Sequence, residues 1–314
     1  MQAIKFLCSK CKLPCSGAVN IVSLGVRGER CTKTLRAQTS ITLRVILLCT
    51  LAFSFGCRPS RQTPQQASSD SIVAEDFRAL TAYTRSGVKK GSDLLRPLAP
   101  SRIALWSQAA RNGNPEGQYL LGYCYIHGMG VESNTSESVK WFQAASNQNQ
   151  PDAQLAMARR YAQGKEITKD TSEALRLATA AATAGLPQAQ YALGASCLSG
   201  DIVTKNPEEG VKWLRKAADQ GHAAAQRRLG YCYEDGIGGL PKSNAEAVGW
   251  YRSASELGDA SAQFMLGMCY FGGKMLPEDL AQAIQWFKKA AELGDNDAIV
   301  MVGDCYFNGW GGQC

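Results

Sequence analysis

The chain holds only two histidines, His127 and His222, among 314 residues. Most metal hydrolases and Ser–His–Asp hydrolases need imidazole as ligand or base, so that scarcity argues against them. No HExxH pair, Gly-rich phosphate loop or paired catalytic carboxylates occur either. The sequence is therefore expected to be non-enzymatic. Acid is nearly missing from one end. Residues 1–61 carry Glu29 alone against ten Lys/Arg, and the remainder carries 24 basic and 26 acidic side chains. The net charge of +7 and the pI near 8.8 thus describe the N-terminus. A basic arm can serve nucleic acid, but no aromatic-interleaved basic patch follows, so no nucleic-acid partner is expected. A basic stretch ahead of an apolar run is what membrane targeting uses.

Residues 1–40 contain a Cys8–Cys11 knuckle, and Cys31 follows at a spacing suited to a zinc ribbon. The segment resembles short zinc ribbons, with Cys8, Cys11 and Cys31 as weak metal candidates. Thr34 stands where the fourth ligand belongs. A structural zinc site needs four, so a degenerate, metal-free segment is expected and no cofactor is assigned. Residues 41–57 contain the charge-free run VILLCTLAFSFGC (45–57), with Arg36 and Arg44 before it and Arg58 after it. A run of 10–14 apolar residues suits a signal core better than a membrane span of about 20. Its end, Ser54-Phe55-Gly56-Cys57, is similar to a bacterial lipoprotein cleavage box, which makes Cys57 a lipidation candidate. Phe55 is bulky for that pattern, so a cleaved signal and a retained anchor both stay open. Either places the protein at the cell envelope, periplasmic or membrane-anchored. Residues 58–100 read as a linker. The part 58–71 is Pro/Gln/Ser-rich and tether-like, and 72–98 has one or two short helices, with Ile72, Val73, Phe77 and Leu80 at helical spacing and then Leu94, Leu95 and Leu98 around Pro97.

From residue 101 onward the chain repeats. Gly113, Asn149, Gly185, Gly221, Gly258 and Gly294 recur at steps of 36, with one of 37. Gln118, Gln154, Gln190, Gln226 and Gln263 form the next column, broken by Ile299. Leu121-Gly122, Met157-Ala158, Leu193-Gly194, Leu229-Gly230, Leu266-Gly267 and Val302-Gly303 follow in register. A second helix carries Leu105, Trp141, Leu177, Trp213, Trp250 and Trp286 in one column. Pro115, Pro151 and Pro187 sit where a first helical residue loses nothing by lacking an N–H. Asn134/Glu137, Asp170/Glu173, Asn206/Glu209, Ser243/Glu246 and Asp279/Gln282 have capping-box spacing. Glycines such as Gly128 and Gly236 allow the positive φ that ends a helix. One helix pair buries too little alone, so stacking must build the core. The predicted fold is all-α, a right-handed solenoid of helix–turn–helix repeats over 101–314.

The pattern A-x-x-x-G-x-x-x-A-Q-x-x-L-G-x-x-Y followed by A-x-x-W resembles the Sel-1-like repeat, a relative of the tetratricopeptide repeat. The resemblance implies a superhelix used as an adaptor, with first helices lining the concave face. Opposite the buried stripe stand Tyr119, Tyr123, Arg159, Tyr191, Arg227, Tyr231, Phe264 and Met268, types enriched at interface hot spots. They are the binding candidates; packing between neighbouring first helices is the competing role. The expected function is a scaffold that holds a peptide or protein segment. The alternative is an envelope enzyme or peptidoglycan-binding protein of the cysteine-rich type in this family.

Cys124, Cys232, Cys269 and Cys305 share a column, with one cysteine per repeat. Neighbouring helices 8–10 Å apart exceed disulfide reach, so buried thiols are expected. The last first helix lacks a closing partner, and Val302, Tyr306 and Trp310 are predicted to be exposed there. Self-association through that end is a further expectation.

Overall fold

The computed structural model describes residues 64–310. Among them are thirteen α-helices, one 3-10 turn (Ile237–Gly239) and no strand. Two long helices lead, α1 (Pro64–Thr84) and α2 (Gly91–Arg111). First helices of the repeats are α3 (Pro115–His127), α5 (Pro151–Gln163), α7 (Pro187–Ser199), α9 (Ala223–Asp235), α11 (Ala260–Phe271) and α13 (Asn296–Phe307). Second helices are α4 (Thr135–Asn147), α6 (Thr171–Thr183), α8 (Pro207–Asp219), α10 (Asn244–Glu256) and α12 (Leu280–Glu292). The expected all-α repeat architecture is present. Cys8, Cys11, Cys31 and Cys57, with the ribbon and anchor segments, lie outside the described residues. Among the described residues no helix is long and apolar enough to cross a membrane.

The expected 58–100 linker differs. The tether-like composition gives way to helix at Pro64, and α2 runs straight through position 101. Val73, Phe77 and Leu80 bury one face of α1 against Leu95, Ala99 and Trp106 of α2. The Trp106 indole N–H donates to the Asp76 carboxylate at 2.9 Å, both buried. Pro97 and Pro100 stand inside α2 without breaking it. Each forfeits a hydrogen bond to the carbonyl four residues back. Asp93, Arg96 and both prolines lie on the exposed face. Water can satisfy the freed carbonyls there, while the buried face holds the helix together.

The turns follow their residues. The glycines before first helices have φ from 80° to 96°, and Asn149, alone of its column in lacking glycine, still adopts φ 61°. Asparagine tolerates that left-handed region better than most side chains. Asn134, Asp170, Asn206, Ser243 and Asp279 each accept the N–H three residues on, as their spacing predicts. The reciprocal half of the capping box is absent. Each cap's own N–H donates to a first-helix carbonyl instead, Asn134 to Tyr125 and Asp279 to Tyr270 among them. Glu137, Glu173 and Glu209 pair with the basic residue three further on.

The core is built on a knob-and-hole column. A Cβ on Gly267 would come 2.4 Å from the Phe287 ring; Gly122 faces Phe142, Gly194 faces Leu214 and Gly230 faces Tyr251 in the same way. These knobs are almost fully buried, one position after the partly exposed tryptophans Trp141, Trp213, Trp250 and Trp286. The second repeat pairs Ala158 with Ala178 at these positions and leaves an apolar crevice of about 100 Å³ lined by Leu155, Leu175, Leu193 and Ile202.

A buried glutamine column stitches repeats together. Gln118, Gln190, Gln226 and Gln263 each donate Nε2 to a carbonyl of the preceding helix, α2, α6, α8 and α10 in turn, at 3.1–3.3 Å. Cys124, Cys197, Cys232 and Cys269 are buried, unbridged thiols. Burial alone pushes the Cys124 thiol up to about 12, which makes it chemically inert at neutral pH. At the C-terminal end Tyr306 is exposed as expected, whereas Val302 and Trp310 pack against the last core cluster, with Trp310 5.2 Å from Phe271.

Candidate functional site

The first helices present one continuous face, and its N-terminal half is already occupied. Phe77 of α1 meets Tyr119 edge-on, with ring centroids 5.7 Å apart. Gly91 presses on the Tyr123 hydroxyl so closely that a Cβ would come within 3.0 Å of it. The α1–α2 connection then tracks along the repeat junctions. Gln188 donates Nε2 to the Thr84 carbonyl at 2.9 Å, and the Ala223 N–H donates to the Ser86 carbonyl at 2.8 Å. That second bond satisfies one of the orphan donors at the start of α9. Gly87 lies on His222, where any Cβ would fall 2.6 Å from Nε2.

His222 serves two neighbours. Its Nδ1 accepts the Ala225 N–H at 3.3 Å as the N-cap of α9, and its ring stacks on Tyr191 at 4.9 Å. Burial drives its pKa down to about 4; Asp259 opposes this and Arg159 adds to it. The imidazole is therefore neutral at physiological pH, as an accepting cap requires.

Two cavities flank Thr84. One, about 280 Å³, brings Tyr119, Tyr123, His127, Asp152, Arg159 and Arg160 together. Burial raises the Asp152 carboxyl pKa, while burial followed by Arg96 lowers that of His127. Burial raises the Tyr119 phenol well above its ordinary range, with Asp152 adding to it. The second cavity, about 250 Å³, lies between Phe77, Arg85, Gln150 and the Gly185–Gln188 junction. Among the described residues no cluster of His, Cys, Asp or Glu could hold a metal ion.

The eight binding candidates therefore separate. Tyr119 and Tyr123 pack against the chain's own N-terminal helices. Tyr191 stacks on His222, Arg227 pairs with Asp259 at 3.0 Å, and Phe264 packs on Phe287 at 5.6 Å. Arg159, Tyr231 and Met268 are the exposed ones, the last two at 42% and 39%. Sequence reasoning missed His222, Gln188 and the 84–88 connection. Only the Val73/Phe77/Leu80 stripe signalled that α1 had to find a surface.

A stack of helix pairs with a shared side-chain-lined face defines a helical-repeat solenoid. Six consecutive stretches, 115–150, 151–186, 187–222, 223–259, 260–295 and 296–313, match the Sel1 repeat. The chain belongs to the Sel1 repeat family. It is similar to a Sel1 repeat protein of Oxalobacter formigenes, with 28% identity, a TM-score of 0.60, and coverage of 76% of this chain and 88% of that one. It is also similar to c5321, a protective antigen of uropathogenic Escherichia coli with an SLR fold, at 25% identity and a TM-score of 0.60. That likeness covers 78% of this chain but about half, 51%, of the antigen. No curated protein matches the chain in sequence. Sel1 repeat proteins are commonly protein-interaction scaffolds, and the fold is a typical non-enzymatic one.

Proposed function

We propose that this protein is an interaction scaffold that holds a peptide or protein segment on the C-terminal half of its first-helix face. The observation that carries this is the exposure of Tyr231 and Met268, at equivalent positions of adjacent repeats, beyond the part that α1 covers. An aromatic ring and a flexible thioether on adjacent repeats suit an apolar segment, and both types are enriched at interfaces. The basic N-terminus and the 45–57 run support a second element of the reading, delivery to the cell envelope with Cys57 as the lipidated residue. Those residues and the first-helix face together describe a tethered adaptor.

A photo-crosslinking amino acid at position 231 tests the surface, with the same probe at exposed Lys212 on a second helix as control. The expected result is a discrete adduct from 231 and none from 212, lost when Met268→Ala is added. Equal adducts from both positions would overturn the assignment. For the tether, a lipid label should incorporate into the wild type and not into Cys57→Ser.

A further inference from the structure

In four repeats the place beside a first-helix glycine is filled by a bulky side chain of the second helix, as Phe287 fills that of Gly267. The second repeat is built otherwise. Ala178 stands where Phe142, Leu214, Tyr251 and Phe287 stand, and the space stays open as the crevice of about 100 Å³ between α5, α6 and α7. Its walls are mostly hydrocarbon, from Leu155, Leu175, Ala178, Leu193 and Ile202, the last 46% exposed. An apolar cavity of about 150 Å³ accepts benzene, so this one suits a branched group of about four carbons.

One side chain of the wall is charged. Arg159 follows Ala158 directly and lines both the crevice and the neighbouring cavity of about 280 Å³. The equivalent positions of the other first helices hold Tyr123, Ala195, Tyr231, Met268 and Asp304. The repeat that lacks its knob is therefore the one that carries a cation there. Its neighbour Arg160 is engaged, donating to the Ala156 carbonyl at 3.0 Å and lying 4.0 Å from Glu166. Arg159 is exposed and has no hydrogen bond or ion pair among the described residues. Asp152 lines the same cavity but stands two turns earlier on α5, where it accepts from Gln150 at 3.2 Å. A free guanidinium can hold a carboxylate through two parallel N–H bonds. An apolar pocket with few, well-placed polar groups is the usual form of a small-ligand site.

We propose that the second repeat binds a small carboxylic acid with a branched aliphatic tail. The tail takes the place of the missing knob between Ala158 and Ala178, and the carboxylate pairs with Arg159. The ligand thus completes a core column that the other repeats complete with their own side chains. Two sources share this chemistry, a free acid and the C-terminal residue of a peptide. In the second case the preceding residue enters the 280 Å³ cavity, where the buried Gln188 Oε1 has no partner and can accept a peptide N–H. The site is separate from Tyr231 and Met268 and stands whether or not that surface binds a segment.

Titration of the full chain with isocaproate, followed by the methyl NMR signals of Leu155, Leu193 and Ile202, tests it, with saturable shifts of all three as the expected result. Isocaproamide keeps the tail without the charge, and acetate keeps the charge without the tail. Each should bind about tenfold more weakly or worse, since a buried methylene alone is worth roughly fourfold. Arg159→Gln should weaken isocaproate about tenfold and leave isocaproamide unchanged. Ala178→Leu supplies a knob from the chain itself and should abolish the shifts while the circular dichroism stays that of the wild type. Methyl signals that do not move, an amide that binds as well as the acid, or binding that survives either substitution would each overturn the proposal. N-acetylglycylleucine separates the sources: tighter binding than isocaproate assigns the site to a chain end, equal or weaker binding to a free acid, and both outcomes support the shared chemistry.

Discussion

The glutamine column makes an unequal set of repeats, and the inequality can be corrected by substitution. Gln118 and Gln190 use both ends of the amide. Nε2 donates to the preceding helix, and Oε1 accepts from Gln148 and Gln220, each at 2.8 Å. Those donors are the C-cap residues of α4 and α8. The corresponding C-caps of α10 and α12 are Leu257 and Leu293. The Oε1 atoms of Gln226 and Gln263 are accordingly buried without a partner. Leu257→Gln and Leu293→Gln should supply the missing donors. A net hydrogen bond contributes about 1 kcal/mol, more where it relieves a buried orphan. The leucines are 38% and 55% exposed, and a glutamine stem keeps part of their contact, so the apolar loss is well under the ~1.5–3 kcal/mol of a fully buried leucine. The expected gain is about 0.5–1 kcal/mol per site. In the reverse direction, Gln220→Leu should cost about 1–3 kcal/mol by orphaning Gln190. Urea unfolding followed by circular dichroism, with the slope held constant, measures all three. A Gln220→Leu loss indistinguishable from zero, or a Leu293→Gln variant less stable than wild type, would refute the reasoning.

His222 predicts a pH window. Its folded pKa near 4 lies below the ordinary 6.5, so the unfolded chain takes up the proton more readily. Its contribution is full above about pH 6.5 and is lost as pH falls toward 4, up to about 3 kcal/mol at roughly 1.4 kcal/mol per unit. His222→Asn, a cap that does not titrate, should flatten that part of the stability–pH curve; an unchanged curve would disprove the assignment. The Ala158–Ala178 junction predicts a coupling. A leucine placed by Ala178→Leu has the crevice of about 100 Å³ to enter but meets the Ala158 methyl where the other knobs meet a glycine, so the substitution should stabilise more in the Ala158→Gly background than alone. Strict additivity in a double-mutant cycle would show that the knob-and-hole register does not extend to this repeat.

Repeat architecture was legible because its signals are local and recur. Caps such as Asp170, first-position prolines and the left-handed Asn149 each act within a few residues, and every repeat restates them. What the columns hid was depth. Tryptophans Trp141, Trp213, Trp250 and Trp286 are the larger side chains, yet the fully buried knobs are Phe142, Leu214, Tyr251 and Phe287, one step on. Lys216 and Lys289 lie over the rings of Trp213 and Trp286, at 3.9 and 4.2 Å, which explains why an amphipathic indole suits the half-exposed position. Residues 64–71 were illegible for a different reason. Their Pro/Gln/Ser composition carries no period, and their helix exists because Val73, Phe77 and Leu80 downstream bury against α2. Position on α3 to α11 marks the binding candidates but contains no information about α1 arriving from outside the repeat.

Occupancy of the first-helix face therefore divides the solenoid. Repeats from α3 to α8 meet the chain's own N-terminal helices or complete their glutamine bridges, Gln118 with Gln148 and Gln190 with Gln220. From α9 onward the balance changes. Leu257 and Leu293 are partly bare, and Tyr231, Met268 and the Val300 and Phe307 side chains of α13 face solvent. In a repeat array stability is close to a sum of local and nearest-neighbour contributions. Repeats with fewer satisfied internal contacts open more readily, and function draws on such regions. The open surfaces thus gather in residues 223–310, while buried polar atoms without a partner occur on both sides of residue 223, Trp141 Nε1 and Ser146 Oγ among them. A partner bound there would add contacts where the repeat face is bare, which couples binding to order in that half.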